Sequence, residues 1–167
     1  MIIRRIGDIY HITPQTDHAW ASGEVARHLL PRFMDSETRD ALVSTIMHHD
    51  DGWIGWETDP ARDASGRPLN FVDISEEDHQ QIWRNGILRA RELFGPFAGA
   101  VLALHAQGLL EKDVPLDDEY AVFLKEQVAS NAREAFPDLD PTVREWTLER
   151  AFLALRFCDV VTLAPCA

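Results

Sequence analysis

The stretch His48-His49-Asp50-Asp51-Gly52-Trp53 limits what this chain can fold into more than any other. It closes an apolar-periodic segment whose positions Leu42, Val43, Ile46 and Met47 recur at helical spacing, and the next step of that period lands on His49 and Asp50. An imidazole and a carboxylate carried into an apolar core are unstable there unless something compensates them, and a bound cation does so. His49 and Asp50 are therefore read as the centre of a metal site inside a helical domain, with other helices supplying the remaining ligands. His48 falls on the side of Ala41, Ser44 and Thr45, facing solvent or an outer position. Asp51 leads into Gly52, a natural helix end, and is either an outer carboxylate or a surface acid.

The setting follows from whole-chain properties. A chain of 167 residues is one domain's worth, residues 1–167, and is long enough for a core without disulfides. Its two cysteines, Cys158 and Cys166, suit a reducing cytoplasm. The start, Met1-Ile2-Ile3-Arg4-Arg5, is too soon interrupted by charge for a signal peptide, and no apolar run is long enough for a membrane span. The balance of 28 acidic against 16 basic residues, formally -12, repels a nucleic-acid backbone. The expected partner is a small-molecule substrate, with neither nucleic acid nor membrane; the pattern is compatible with a homo-oligomer.

In chain order, two β-rich runs about Gly7-Asp8 predict a short hairpin, with His11 on its surface. Thr16 or Asp17 is the expected N-cap of a helix that Pro31 closes, with His18, Ala21, Ser22, Val25 and Leu29 inward. The next helix starts near Asp35 or Ser36. Residues 53–74 lose the pattern and predict a long irregular loop, either a lid or a wrap whose tryptophans patch the core. Ser75 and Asp78 resemble a capping box for a helix with His79, Ile82, Trp83, Gly86, Ile87, Ala90 and Leu93 inward. A helix over 97–110 carries His105 in mid-stripe. Residues 112–116 connect it to a packing helix over 117–136. Asp140 and Pro141 open the last helix, where Asp159 continues the stripe of Leu148, Ala151, Phe152 and Leu155 and needs a partner. The fold class is all-α, a bundle of about six helices with an N-terminal β-hairpin.

Each inward histidine alone reads as a core residue. Together, His18, His79, His105 and Asp159 stand on four helices whose stripes share a core with the His49-Asp50 pair, whereas His11, His28 and His48 fall off the stripes. This order of side chains resembles the HD-domain superfamily of helical metal enzymes. Within it, the six residues are similar to the dinuclear branch shared by certain cyclic-dinucleotide phosphodiesterases and by mixed-valent di-iron oxygenases of the myo-inositol oxygenase type. The resemblance implies one ion held by His18, His49, Asp50 and Asp159 and a second held by Asp50, His79 and His105, with Asp50 bridging. Many dinuclear relatives carry an anion-holding lysine shortly after the His-Asp-x-Gly turn, where Trp53 stands here. The pieces His-His-Asp-Asp-Gly-Trp, Gln15-x-x-His18, Gly66-Arg67-Pro68 and Cys158-Asp159 further resemble a bacterial family catalogued as a domain of unknown function.

Imidazole and carboxylate without thiolate suit divalent Fe or Mn, and also Zn, Co or Ni. The expected function is a metal-dependent hydrolase of the HD phosphohydrolase type, with a metal-bound hydroxide as nucleophile, Asp50 bridging two ions, and Asp51 or His48 as outer acid or base. The alternatives are a di-iron oxygenase and a non-catalytic domain that keeps metal for stability. Trp53, Trp56 and Arg67 are the expected substrate contacts, by their position beside the motif.

Overall fold

Residues Ile2–Ile6 (β1) and Ile9–Thr13 (β2) pair antiparallel, with Ile6 opposite Ile9. Gly7 turns the chain between them at φ 62°, a conformation that glycine adopts without a Cβ clash. The computed structural model describes residues 1–30, 35–109 and 118–166. The helices are Gln15–Leu29 (α1), Ser36–Met47 (α2), Ile54–Thr58 (α3), Glu76–Phe94 (α4), Pro96–Leu109 (α5), Glu119–Ala135 (α6) and Pro141–Cys166 (α7). The all-α architecture with its N-terminal hairpin is as expected, α3 being a single short turn between the longer helices. None of these helices is long and apolar enough to cross a membrane.

The helix starts follow local chemistry. Asp35 caps α2 by accepting from the Thr38 N–H, and Asp118 caps α6 by accepting from Tyr120 and Ala121. Ser75 accepts from the Asp78 N–H, the forward half of the expected capping box, while the Asp78 carboxylate accepts from the Ser75 hydroxyl in place of the backbone N–H. Asp140 accepts from the Thr142 N–H with Pro141 as the first helical residue. α1 departs from its expected start: it begins one residue after Pro14, which caps it without a side-chain bond, so neither Thr16 nor Asp17 is the N-cap. Proline's fixed φ sets the helical direction there before any side chain is needed. The helix stop assigned to Pro31 and the connection assigned to 112–116 lie outside the described residues.

α5 is buried nearly all round, from Phe97 to Ala106, and forms the centre of the bundle. α4, α6, α7 and α2 pack against it, while α1 fits between α2 and α7. The main core joins Leu42, Val43, Ile46, Ile87, Val101 and Leu102 to Tyr120, Leu124, Leu148 and Leu155. On α1 the inward face is Gln15, His18, Ala19, Ser22, Gly23 and Ala26. That face is rotated from the predicted stripe, and Leu29 is exposed. Small residues let α1 approach its neighbours closely, and a hydrophobicity pattern weighted by large side chains does not register them.

A second, smaller core unites Trp53, Ile74 and Ile82 with Trp56, Leu69, Phe71 and Trp83. It organises the segment expected to be irregular, which instead contains α3, an isolated bridge between Arg62 and Pro68, and a 3-10 turn at Phe71–Asp73.

Candidate metal centre

α2 ends at Met47, earlier than the periodicity indicates. His48 takes the C-cap position, and Asp50 lies beyond the helix, preceding a 3-10 turn over Asp51–Trp53. Gly52 is thus inside that turn and does not end the helix. Its role is close approach: a Cβ there would sit 2.2 Å from the Ile82 carbonyl oxygen and 3.0 Å from the Gly86 nitrogen of α4. The turn presses backbone to backbone on α4, and this fixes where the His49 and Asp50 side chains go.

His49 is buried, and its Nδ1 donates to the Ile46 carbonyl at 2.8 Å, which leaves Nε2 directed away from its own backbone. From α1, His18 is 2 % exposed and brings Nε2 to 2.8 Å from Asp159 Oδ1 of α7. His49 Nε2 lies 3.6 Å from the same Asp159 oxygen and 3.4 Å from Asp50 Oδ2. Donor atoms of His18, His49 and Asp159 all lie within 4.8 Å of one another, forming a candidate metal site. Ligands about 2.1 Å from one ion are separated by roughly 3.0 to 3.4 Å, so small side-chain shifts from these spacings would bring the three groups around one ion. His105 of α5 approaches from a further side, its Nε2 3.9 Å from Asp159 Oδ2.

The support around these groups is polar and closed. Ser22 and Thr162 hydroxyls meet at 2.6 Å, and the Thr162 oxygen also lies 3.3 Å from His18 Nδ1. Holding the non-ligating nitrogen of a histidine in this way orients its ring. The Thr162 hydroxyl reaches the Cys158 carbonyl as well, tying it to its own helix.

Charges in the cluster are strongly coupled. For His49, burial alone would depress the pKa, but the carboxylates of Asp50 and then Asp159 outweigh it and push it up to about 9. Burial raises the pKa of Asp159, yet hydrogen bonds to His18 and His49 prevail and hold the carboxyl well below its ordinary value. Asp50 moves the other way, because burial outweighs the attraction of His49 and His18. His105, buried and beside the cationic His49, is pushed down to about 3. One carboxylate held ionised beside imidazoles of opposite tendency is an arrangement that a cation would replace with its own charge.

A cavity of about 200 Å³ opens on the cluster, lined by Gln15, His18, His49, Asp50, His79, His105 and Asp159 with Trp53, Phe71, Val72, Trp83, Leu109 and Leu163. All six predicted metal-type residues thus reach one cavity. His79 lies outside the tight trio: its ring stacks on Trp83 at 5.2 Å and meets Trp53 edge-on at 5.7 Å. Burial lowers its pKa, partly offset by the Phe71 backbone. Trp53 itself is buried and packs edge-on against Trp56 at 5.6 Å.

The other predicted site residues stand elsewhere. His48 and Asp51 pair at 3.3 Å, with Arg89 3.3 Å from Asp51 and the Phe94 ring 4.9 Å from His48. Neither lines the cavity. Trp56 backs Trp53 from outside it. Arg67 pairs with Asp63 at 2.9 Å and donates to the Tyr10 hydroxyl at 2.7 Å, on the hairpin side. A larger groove of about 670 Å³ between α5, α6 and α7 includes Leu104, Arg133, Arg144 and Phe152, but none of the metal-type trio. Sequence reasoning did not single out Ser22 and Thr162 as supports or Gln15 as a wall residue. Their signals were the inward stripes that carry Ser22 and Thr162 and the Gln15-x-x-His18 piece, with Gln15 three residues before His18 and Thr162 three after Asp159.

These features define an all-α protein with a buried histidine and aspartate cluster suited to a metal ion. The chain belongs to the family described as Protein of unknown function (DUF3891), whose profile matches residues 1–167. No curated protein and no solved structure matches it.

Proposed function

We propose that this chain is a metal-dependent hydrolase on an HD-superfamily scaffold, acting on a small-molecule substrate. The observation that carries the reading is the convergence of His18, His49 and Asp159, from α1, the turn after α2 and α7, to within 4.8 Å. Asp50 and His105 stand at its edge, 3.4 Å from His49 and 3.9 Å from Asp159. The donor set is imidazole and carboxylate, since the buried Cys158 belongs to the apolar core, and such a set favours Fe, Mn, Zn, Co or Ni.

A divalent ion supplies Lewis acidity and lowers the pKa of a coordinated water. The protein's own contribution is placement. Ile46 fixes the His49 tautomer, Thr162 fixes His18, and Asp159 is held ionised as the shared anionic ligand. Asp50, 3.4 Å from His49, would add a further carboxylate to the shell of the ion. His79 and His105 also line the cavity and would, with Asp50, supply the ligands of a second ion if one were bound.

Metal analysis of protein purified without chelator, combined with assays on generic phosphoesters in Mn, Fe, Co and Zn, tests this. Bound metal with ester hydrolysis that Asp159→Asn abolishes is the expected result. Metal-loaded protein inert toward every ester and amide tried would sink the hydrolase reading. Two irons with an oxygen-sensitive visible spectrum would replace it with the oxygenase.

A further inference from the structure

Buried polar atoms in a folded protein find partners, because an unpaired one forfeits its hydrogen bonds to water without return. Among the described residues, five buried side-chain atoms have none, and two of them, Gln15 Oε1 and Trp53 Nε1, are on residues that line one cavity. Both residues are sealed from solvent, at 4 % and 2 % exposure. One carries an amide and the other an indole N–H, so together they offer an acceptor and a donor beside the metal cluster.

The rest of the wall restricts what could use them. Among the described residues its charged groups are Asp50, Asp159 and the histidines, and no lysine or arginine of those residues lines it. Phe71, Val72, Leu109 and Leu163 make its apolar side. Among the described residues, a substrate part lying away from the metal cluster thus meets no guanidinium or ammonium group, and an anionic group there would be desolvated without one to compensate it. At about 30 Å³ per water the cavity of about 200 Å³ holds on the order of seven waters, room for a few heavy atoms.

Resting on the metal-site reading above, we propose that Gln15 and Trp53 bind an uncharged, hydroxyl- or carboxamide-bearing part of the substrate. A neighbouring donor and acceptor on the ligand satisfy Gln15 Oε1 and the Trp53 N–H together. Both residues are binding groups that set specificity; the reacting atoms belong to the metal cluster.

The test follows the Trp53 indole N–H by nitrogen-15 NMR in zinc-loaded and chelator-treated protein, with the signal assigned by its loss in Trp53→Phe. Acetamide and glycerol serve as neutral probes, acetate and inorganic phosphate as anionic ones of similar size. Either neutral probe is expected to move the signal saturably, and Gln15→Met to weaken that binding at least tenfold with zinc content unchanged. If Gln15→Met does not fold, Gln15→Asn withdraws the same amide by one carbon and gives the same reading. An unmoved signal, equal movement by the anions, or unchanged affinity in the Gln15 variant overturns the proposal. Failure of zinc to bind would overturn the metal-site reading instead, because the chelator-treated titration reports on the indole without it.

Discussion

His18 Nε2 and Asp159 Oδ1 meet at 2.8 Å although 141 positions separate them in the chain. The contact joins α1 to α7 at a point where each helix turns an ionisable group inward, and His49 comes within 3.6 Å of the same oxygen. An imidazole pair sharing one carboxylate oxygen is stable without metal only while protons bridge them, and metal binding replaces those protons.

Asp159→Asn is therefore expected to lower metal affinity by about a hundredfold or more, since it removes the anionic ligand common to all three imidazoles. His48→Ala, which alters the pair with Asp51 and the contact with the Phe94 ring, should leave metal content at the wild-type level. Elemental analysis of both variants decides it; loss of metal in His48→Ala would contradict the placement of that residue outside the cluster.

The raised pKa of His49 sets two opposite pH dependences. In metal-free protein His49 stays protonated to about 9, above its ordinary 6.5. Its contribution to stability is complete below pH 6.5 and is lost as pH rises through 9. The Tm of the metal-free protein is thus expected to fall between pH 6.5 and 9. Metal needs the unprotonated nitrogen, so apparent affinity should instead rise, by up to about tenfold per unit, over the same range. Scanning calorimetry with and without metal reads both slopes, and calorimetric titration in two buffers counts the proton released.

Gly52→Ala and Gly86→Ala should differ in sign although the two residues face each other. A Cβ on Gly52 would strike the Ile82 carbonyl at 2.2 Å, and forcing the turn away from α4 should cost about 3 kcal/mol. A Cβ on Gly86 meets nothing nearer than 3.5 Å, and alanine in mid-helix gains about 0.5 to 1 kcal/mol over glycine. Denaturant unfolding of the two variants provides the comparison. Equal destabilisation would mean that the contact surface is set by both glycines.

Thr162→Val keeps the shape of the side chain but removes the hydroxyl that Ser22 meets at 2.6 Å. Leaving the buried Ser22 hydroxyl with fewer partners is expected to cost about 1 to 3 kcal/mol. Freeing His18 Nδ1 should weaken metal binding by roughly tenfold more than a distant core change of equal destabilisation. Leu124→Ala on α6 supplies that control, at about 3 kcal/mol.

How far the chain could be read in advance depended on which physical effect governed each place. Long apolar stripes and capping residues such as Asp35, Ser75 and Asp140 gave the helices, because propensity and local hydrogen bonds decide these positions without help from elsewhere. His18, His105 and Asp159 were legible as inward groups for the same reason, His49 is inward from the turn beyond α2 and not through its helical period, and His11 and His28 are exposed as their off-stripe positions implied. The end of α2 was not. Helical period carried on to Asp50 would have kept the chain coiled, whereas the contact of Gly52 with α4 is a tertiary effect with no periodic trace. Likewise the small-residue face of α1 and the tryptophan cluster that orders 53–74 arise from shape complementarity between distant segments.

The division of the cluster between α1, the turn after α2 and α7 also orders events in time. A growing polypeptide presents His18 and His49 early, but with no anionic partner to hold them together. The candidate site we propose is therefore complete only in chains synthesised through residue 159, and a ribosome that stalls before it releases a product lacking the carboxylate that joins the two histidines.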